Sequence, residues 1–116
     1  TWNISHWTKD RVQGDKIPLE FLVRKQTKET AETFGLMDRG QIKEGFMADI
    51  NIIDHENLCV YKPEMVHDLP TGSRRIIQKA GGYIATIKSG VVTFKNDEAT
   101  GELPGTLIRG EQAAHA

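Results

Sequence analysis

Gly40-Gln41-Ile42-Lys43-Glu44-Gly45-Phe46-Met47-Ala48-Asp49-Ile50-Asn51-Ile52-Ile53-Asp54 is the stretch on which the fold turns. Two glycines mark tight turns, and a β-branched run follows Ala48-Asp49 and ends in Asp54. Around Gly35 the apolar spacing changes from helical to alternating. Ala48 to Asp54 is expected to be a strand with Ile50 and Ile52 on one face.

Upstream, Ile17 to Gln26 reads as a short helix. Pro18 suits its first turn, where an N–H would be unpaired anyway. Glu20 lies near the positive end of the dipole, and Arg24 and Lys25 near the negative end. Leu19, Phe21, Leu22 and Val23 cover a wider arc than a surface helix needs, which points to burial on more than one side. Thr27 is expected to cap a second helix, Lys28 to Phe34. Gly35 fits the left-handed C′ position, with Leu36 folding back onto Ala31.

Downstream, Asn57 to Gly72 contains Pro63 and Pro70 and is expected to be mostly loop, with a short helical turn around Pro63 to Val66. Ser73 to Ala80 is expected to be a strand that Gly81-Gly82 breaks. Tyr83 to Lys88 and Val91 to Lys95 form a hairpin on Ser89-Gly90, a two-residue loop. That loop pairs Lys88 with Val91, Ile87 with Val92 and Ala85 with Phe94. Tyr83, Ala85, Ile87, Val92 and Phe94 then share an apolar face. Asn96 to Gly105 is turn-rich, Thr106 to Arg109 a last extended piece, and Glu111 to Ala116 frayed.

A chain of 116 residues fits one modest domain and is too short for an eight-fold β/α barrel, which needs about 250 residues. The formal net charge is -1, with Lys and Arg scattered among Glu and Asp, so a nucleic-acid partner is not expected. No apolar run approaches the roughly 20 residues of a membrane helix, so no membrane partner is expected either. Cys59 is the single cysteine, which rules out an internal disulfide framework and fits a reducing, cytoplasmic setting. Thr1-Trp2-Asn3 lacks an initiating Met and any signal-peptide pattern, so the chain is expected to be a fragment.

The histidines are His6, His55, His67 and His115. No pair has the i, i+4 or H-x-H spacing of a metal site. Asp54-His55 and His67-Asp68 are adjacent residues, which point in opposite directions on an extended chain. All four read as surface or interface histidines. Cys59, between Leu58 and Val60, reads as a small strand residue rather than a nucleophile. Gly81-Gly82 precedes a strand, not a helix, so it reads as a turn rather than a phosphate cradle. No catalytic, cofactor or metal residue is therefore assigned within this chain.

Three blocks carry a resemblance: Arg24-Lys25-Gln26-Thr27 through Phe34-Gly35-Leu36; the Gly40 to Asp54 junction; and Gly82-Tyr83 with its hairpin, then Thr100-Gly101-Glu102-Leu103-Pro104-Gly105-Thr106-Leu107-Ile108-Arg109. With Pro63-Glu64-Met65-Val66-His67-Asp68-Leu69-Pro70, they resemble the C-terminal part of an amidohydrolase of the N-acyl-D-amino-acid deacylase (D-aminoacylase) type. Ser89, where Asn is usual, and Thr106, where Arg is common, depart from that pattern. The resemblance implies an α+β fragment. Residues 1–36 would be the last helical segment of a β/α barrel, and residues 37–116 a small, mostly antiparallel β domain, a partial β-sandwich. It implies zinc-dependent hydrolysis of a linear amide by the intact parent, with the zinc ligands and a catalytic Asp in segments ahead of Thr1. Trp2, His6, Trp7, Lys9, Asp10 and Arg11 would follow that Asp, either near the barrel mouth or as a helix on the barrel wall anchored by Trp7.

The expected partners are the rest of the amidohydrolase chain and, because the sheet would lack its N-terminal strands, further copies of this chain. The rival reading is a free-standing β module for protein or carbohydrate binding or oligomerisation. Against it stands the strongly apolar helix Leu19 to Val23, which a self-sufficient module would not need.

Overall fold

The computed structural model describes residues 1–113. Two helices precede three small antiparallel sheets. Helix α1 spans residues 2–10, α-helical over Trp2–Ser5 and wider, π-helical, over His6–Asp10. Helix α2 spans residues 19–33: Leu19–Arg24 α-helical, Lys25–Glu29 π-helical and Thr30–Thr33 α-helical again. Pro18 occupies its N-cap position. The expected break at Thr27 is absent. The Thr27 hydroxyl donates back to the Val23 carbonyl at 2.8 Å, as a mid-helix threonine does, and caps nothing. The expected ending is present. Gly35 has φ +70°, its N–H bonds the Glu32 carbonyl, and the Leu36 N–H reaches the Ala31 carbonyl at 2.9 Å, which together make a Schellman motif.

Strand β1 (Ile50–Ile53) begins the largest sheet and is shorter than the expected Ala48 to Asp54. β6 (Tyr83–Lys88), β7 (Val91–Lys95) and β8 (Glu98–Ala99) complete it in the order β1-β6-β7-β8. The segment expected to be loop contains two strands. β2 (Cys59–Val60) pairs with β5 (Ala80–Gly81), and β3 (Glu64–Val66) pairs with β4 (Arg75–Ile77). No helical turn forms at Pro63 to Val66: Glu64, Met65 and Val66 are extended against Ile77, Ile76 and Arg75. The single strand expected from Ser73 to Ala80 is thus two short ones in different sheets.

The β6–β7 hairpin holds the expected pairs Lys88–Val91 and Ile87–Val92, and then a bulge shifts the register. Phe94 lies opposite Thr86, and Ala85 opposite Lys95. The extra residue is Thr93, whose hydroxyl bonds the Thr86 carbonyl at 3.2 Å. A bulge reverses the side-chain alternation beyond it. Phe94 is therefore 46 % exposed rather than inside, while Thr93 is half-buried.

At the end of the chain, the segment Thr106 to Arg109 forms no strand. Gln112, expected to fray, is tied to Leu36 by a parallel bridge. Its N–H donates to the Gly35 carbonyl and its carbonyl accepts from Met37, both at 2.8 Å. The rest of that expected frayed end, 114–116 with His115, lies outside the described residues.

The apolar core is small. Among the described residues, only Ile4, Leu22, Ala31 and Leu58 are buried apolar side chains. Helix α1 packs against α2 and β2, so this core sits where helices and sheet meet.

Candidate functional site

The loop after β1 is built by Asp54. Its carboxylate accepts the Asn57 side-chain N–H at 2.7 Å and the Asn57 backbone N–H at 3.3 Å. These bonds hold the Asp54 carboxyl below its ordinary range. The chain turns at once and aims three carbonyls at one point. Lys9 of α1 fills that point, its Nζ 3.3 Å from the His55, 2.8 Å from the Glu56 and 3.2 Å from the Leu58 carbonyl. Beside it, Thr8 Oγ1 lies 2.8 Å from His55 Nε2 and also donates to the Ile4 carbonyl at 2.8 Å. A hydroxyl has one proton, so here it accepts, and Nε2 of His55 carries the proton. The arrangement clamps α1 to the loop that follows β1.

The other expected residues are dispersed. His6 stacks on Trp2 with ring centres 4.5 Å apart and meets Trp7 edge-on at 5.1 Å. The Arg11 guanidinium lies 4.9 Å over Trp7. This column runs along α1, with Trp7 half-buried, while Asp10 points to solvent. His67 is exposed, and its neighbour Asp68 is held instead by Arg75 through two bonds of 2.6 Å. Cys59 is a half-buried free thiol in β2. The thiol lies near the Tyr61 hydroxyl and raises that phenol's pKa.

Sequence reasoning missed one ionic cluster entirely. Buried Asp38 makes a two-point pair with Arg39 at 2.8 and 2.9 Å, and Arg39 reaches Asp49 at 3.2 Å. Asp49 also accepts the Lys88 ammonium and the Ser89 N–H, both at 2.9 Å. Alongside, the Gly90 N–H bonds the Ala48 carbonyl at 3.0 Å. The Asp of the junction therefore staples the β6–β7 turn to the start of β1. Burial pushes its carboxyl up, but the Ser89 N–H, Lys88 and Arg39 together outweigh that and lower its pKa.

The Asp49 side chain is 26 % exposed, so Asp49→Asn is expected to cost about 1–2 kcal/mol at neutral pH. A carboxyl lowered by folding stabilises above its unfolded pKa of about 3.9, and that contribution is lost as pH falls through the folded value. Urea melts from pH 7 down to pH 2.5 are expected to show the two proteins converging in acid. A constant gap would show that the charge of Asp49 is irrelevant.

An open, mainly apolar cleft of about 700 Å³ lies between α2 and β1, walled by Ile4, Leu19, Val23, Phe46, Ile50 and Tyr83 among others. Among the described residues no three His, Cys, Asp or Glu side chains come together to hold a metal ion. Nor is any helix among them long and apolar enough to cross a membrane.

The description "Amidohydrolase family" fits residues 1–94, which takes in both helices and almost all of the β6–β7 hairpin. The chain belongs to the amidohydrolase family. It is similar to a D-aminoacylase of Alcaligenes xylosoxydans xylosoxydans, with 30 % identity over 105 residues, 90 % of this chain and 19 % of that protein. The chain thus spans about a fifth of the length of the curated relative it matches. No solved structure is a significant match.

Proposed function

We propose that this chain is the C-terminal structural part of a metal-dependent amidohydrolase that hydrolyses the linear amide of N-acyl-D-amino acids. In this reading residues 1–36 lie against the enzyme's β/α barrel and residues 37–116 form most of a small β domain beside it. The observation that carries it is the similarity to a D-aminoacylase along 90 % of the chain. The dispersal of His6, His55 and His67 and the small core among the described residues are consistent with a supporting role. The catalytic groups and zinc would belong to segments outside this chain. The lone Cys59 favours a reducing, cytoplasmic setting. The free-standing binding module gains no support from the family match.

The test is activity. The chain is incubated with zinc, desalted, and assayed for bound metal and for release of amino acid from N-acetyl-D-amino acids. Neither stoichiometric zinc nor turnover is expected. A barrel segment of a D-aminoacylase co-expressed with the chain is expected to give turnover. Turnover by the chain alone, or none by the pair when the intact D-aminoacylase is active, overturns the reading.

A further inference from the structure

The Lys9 ammonium is held unlike the ion-paired lysines among the described residues. Lys25, Lys28, Lys79 and Lys88 each meet a carboxylate. Lys9 Nζ meets backbone carbonyls instead, those of His55, Glu56 and Leu58, at 3.3, 2.8 and 3.2 Å. An ammonium has three N–H donors, so one proton serves each oxygen.

The loop that carries those carbonyls is fixed without Lys9. The Asp54 N–H bonds the Gly82 carbonyl at 2.8 Å, and the Asp54 carboxylate grips Asn57. Thr8 holds His55 at one end, and the enclosed Leu58 anchors the other. The oxygens therefore stay converged when their occupant is taken away. Left empty, they face one another as unpaired acceptors, which favours any positive charge that fits between them. The Asp54 carboxylate adds negative charge nearby: the Asn57 bonds hold its pKa low, and the charge of Lys9 lowers it further.

We propose that the loop from Asp54 to Leu58 is a binding site for a monovalent cation of the ammonium and potassium class, which the chain fills with its own Lys9. Backbone carbonyls that replace a hydration shell are a way in which proteins hold potassium. Three neutral oxygens with one carboxylate nearby are too few for calcium, which takes about 6–8 oxygen ligands. Magnesium needs an octahedron of oxygens at about 2.0–2.1 Å, far tighter than this ring. The spacing here is that of an N–H···O bond, and a potassium ion is close to an ammonium in size. Tethered on α1, Lys9 stands at a high effective concentration and outcompetes ions from solution. The cation that closes the loop thereby also carries α1. Every oxygen of the site belongs to this chain, and no catalytic group takes part, so the site does not depend on the hydrolase reading.

Rescue by free cations tests it. Lys9→Ala and the parent chain are melted in urea at constant ionic strength, in ammonium, potassium, lithium or tetramethylammonium chloride. In tetramethylammonium, which has no N–H and is too large for the site, the variant is expected to have the lower midpoint. Ammonium and potassium are expected to narrow that gap with the logarithm of their concentration, as binding to the folded state requires. Lithium is expected to leave it open. The parent, its site already filled, supplies the reference for general salt effects. A gap that all the salts narrow alike, or that none narrows, overturns the proposal, and so does the absence of a gap. If Lys9→Ala fails to fold, the parent decides by nuclear magnetic resonance. Its Lys9 ammonium is expected to give a slowly exchanging signal coupled to the carbonyl carbons of His55, Glu56 and Leu58, where the exposed Lys16 gives none. A Lys9 ammonium that exchanges as fast as that of Lys16 overturns the proposal.

Discussion

Leu58→Ala is expected to destabilise the chain by about 2–5 kcal/mol, read as a fall in denaturant midpoint at unchanged slope. Leu58 is 1 % exposed, and no other described side chain is so deeply enclosed. It sits where three things meet: the loop that Lys9 clamps, strand β2, and the close approach of Gly82. Removing its branched end leaves a cavity whose walls are held by hydrogen bonds and cannot collapse freely. Among the described residues only four apolar side chains are buried, so little is available to offset the loss. Leu103→Ala is the contrast, because Leu103 is 92 % exposed. Its effect is expected to stay within about 0.5 kcal/mol. Equal midpoints for the two variants would show that Leu58 is not the centre of the core.

How far such features could be read in advance depended on their range. The ending of α2 was legible because its cause is local: Gly35 supplies the positive φ and Leu36 closes the turn within six residues. The strand after Ala48-Asp49 and the Ser89-Gly90 turn were legible for the same reason. The break placed at Thr27 failed because a threonine hydroxyl can either cap a helix or bond back to the preceding turn, and only the packed helix decides. The bulge at Thr93 was invisible to a strict two-residue alternation, so Phe94 was assigned to the wrong face. One local signal was passed over. Asn96 and Asp97 have φ +50° and +66°, the paired left-handed residues of a tight hairpin turn, and they join β7 to β8.

The clamp and the ionic cluster were beyond local reasoning. Lys9 meets carbonyls 46 to 49 residues away, and Asp49 meets Lys88 across 39. Neither pairing leaves a spacing pattern in the sequence. Both give structural work to residues that a motif reading would examine for chemistry: His55 is held by Thr8, and the conspicuous Asp49 fastens a turn.

Gly82→Ala is expected to be as damaging as the loss of Leu58, for a different reason. Gly82 has φ +93°, where an L side chain is strained by about 1–2 kcal/mol. A Cβ there would lie 2.8 Å from Leu58 Cα, 3.0 Å from Leu58 N and 3.1 Å from the Asp54 carbonyl oxygen. All three are backbone atoms and cannot swing aside, so overpacking adds about 1–3 kcal/mol. The position also accepts the Asp54 N–H at 2.8 Å, beside the register shift that lets Ile53 face Tyr83. Pushing Gly82 away would open β1 from β6 at that point. Two other glycines separate the contributions. Gly90 has φ +81° with open space around it, so Gly90→Ala is expected to show the conformational cost alone. At Gly81 the nearest atom is the Tyr61 hydroxyl, the free end of an exposed side chain, so Gly81→Ala is expected to be the mildest of the three. Chemical denaturation should rank them Gly82, Gly90, Gly81 in falling cost. A Gly82→Ala protein no less stable than Gly90→Ala would mean that the contact between Gly82 and the Leu58 backbone does not hold β1 and β2 together.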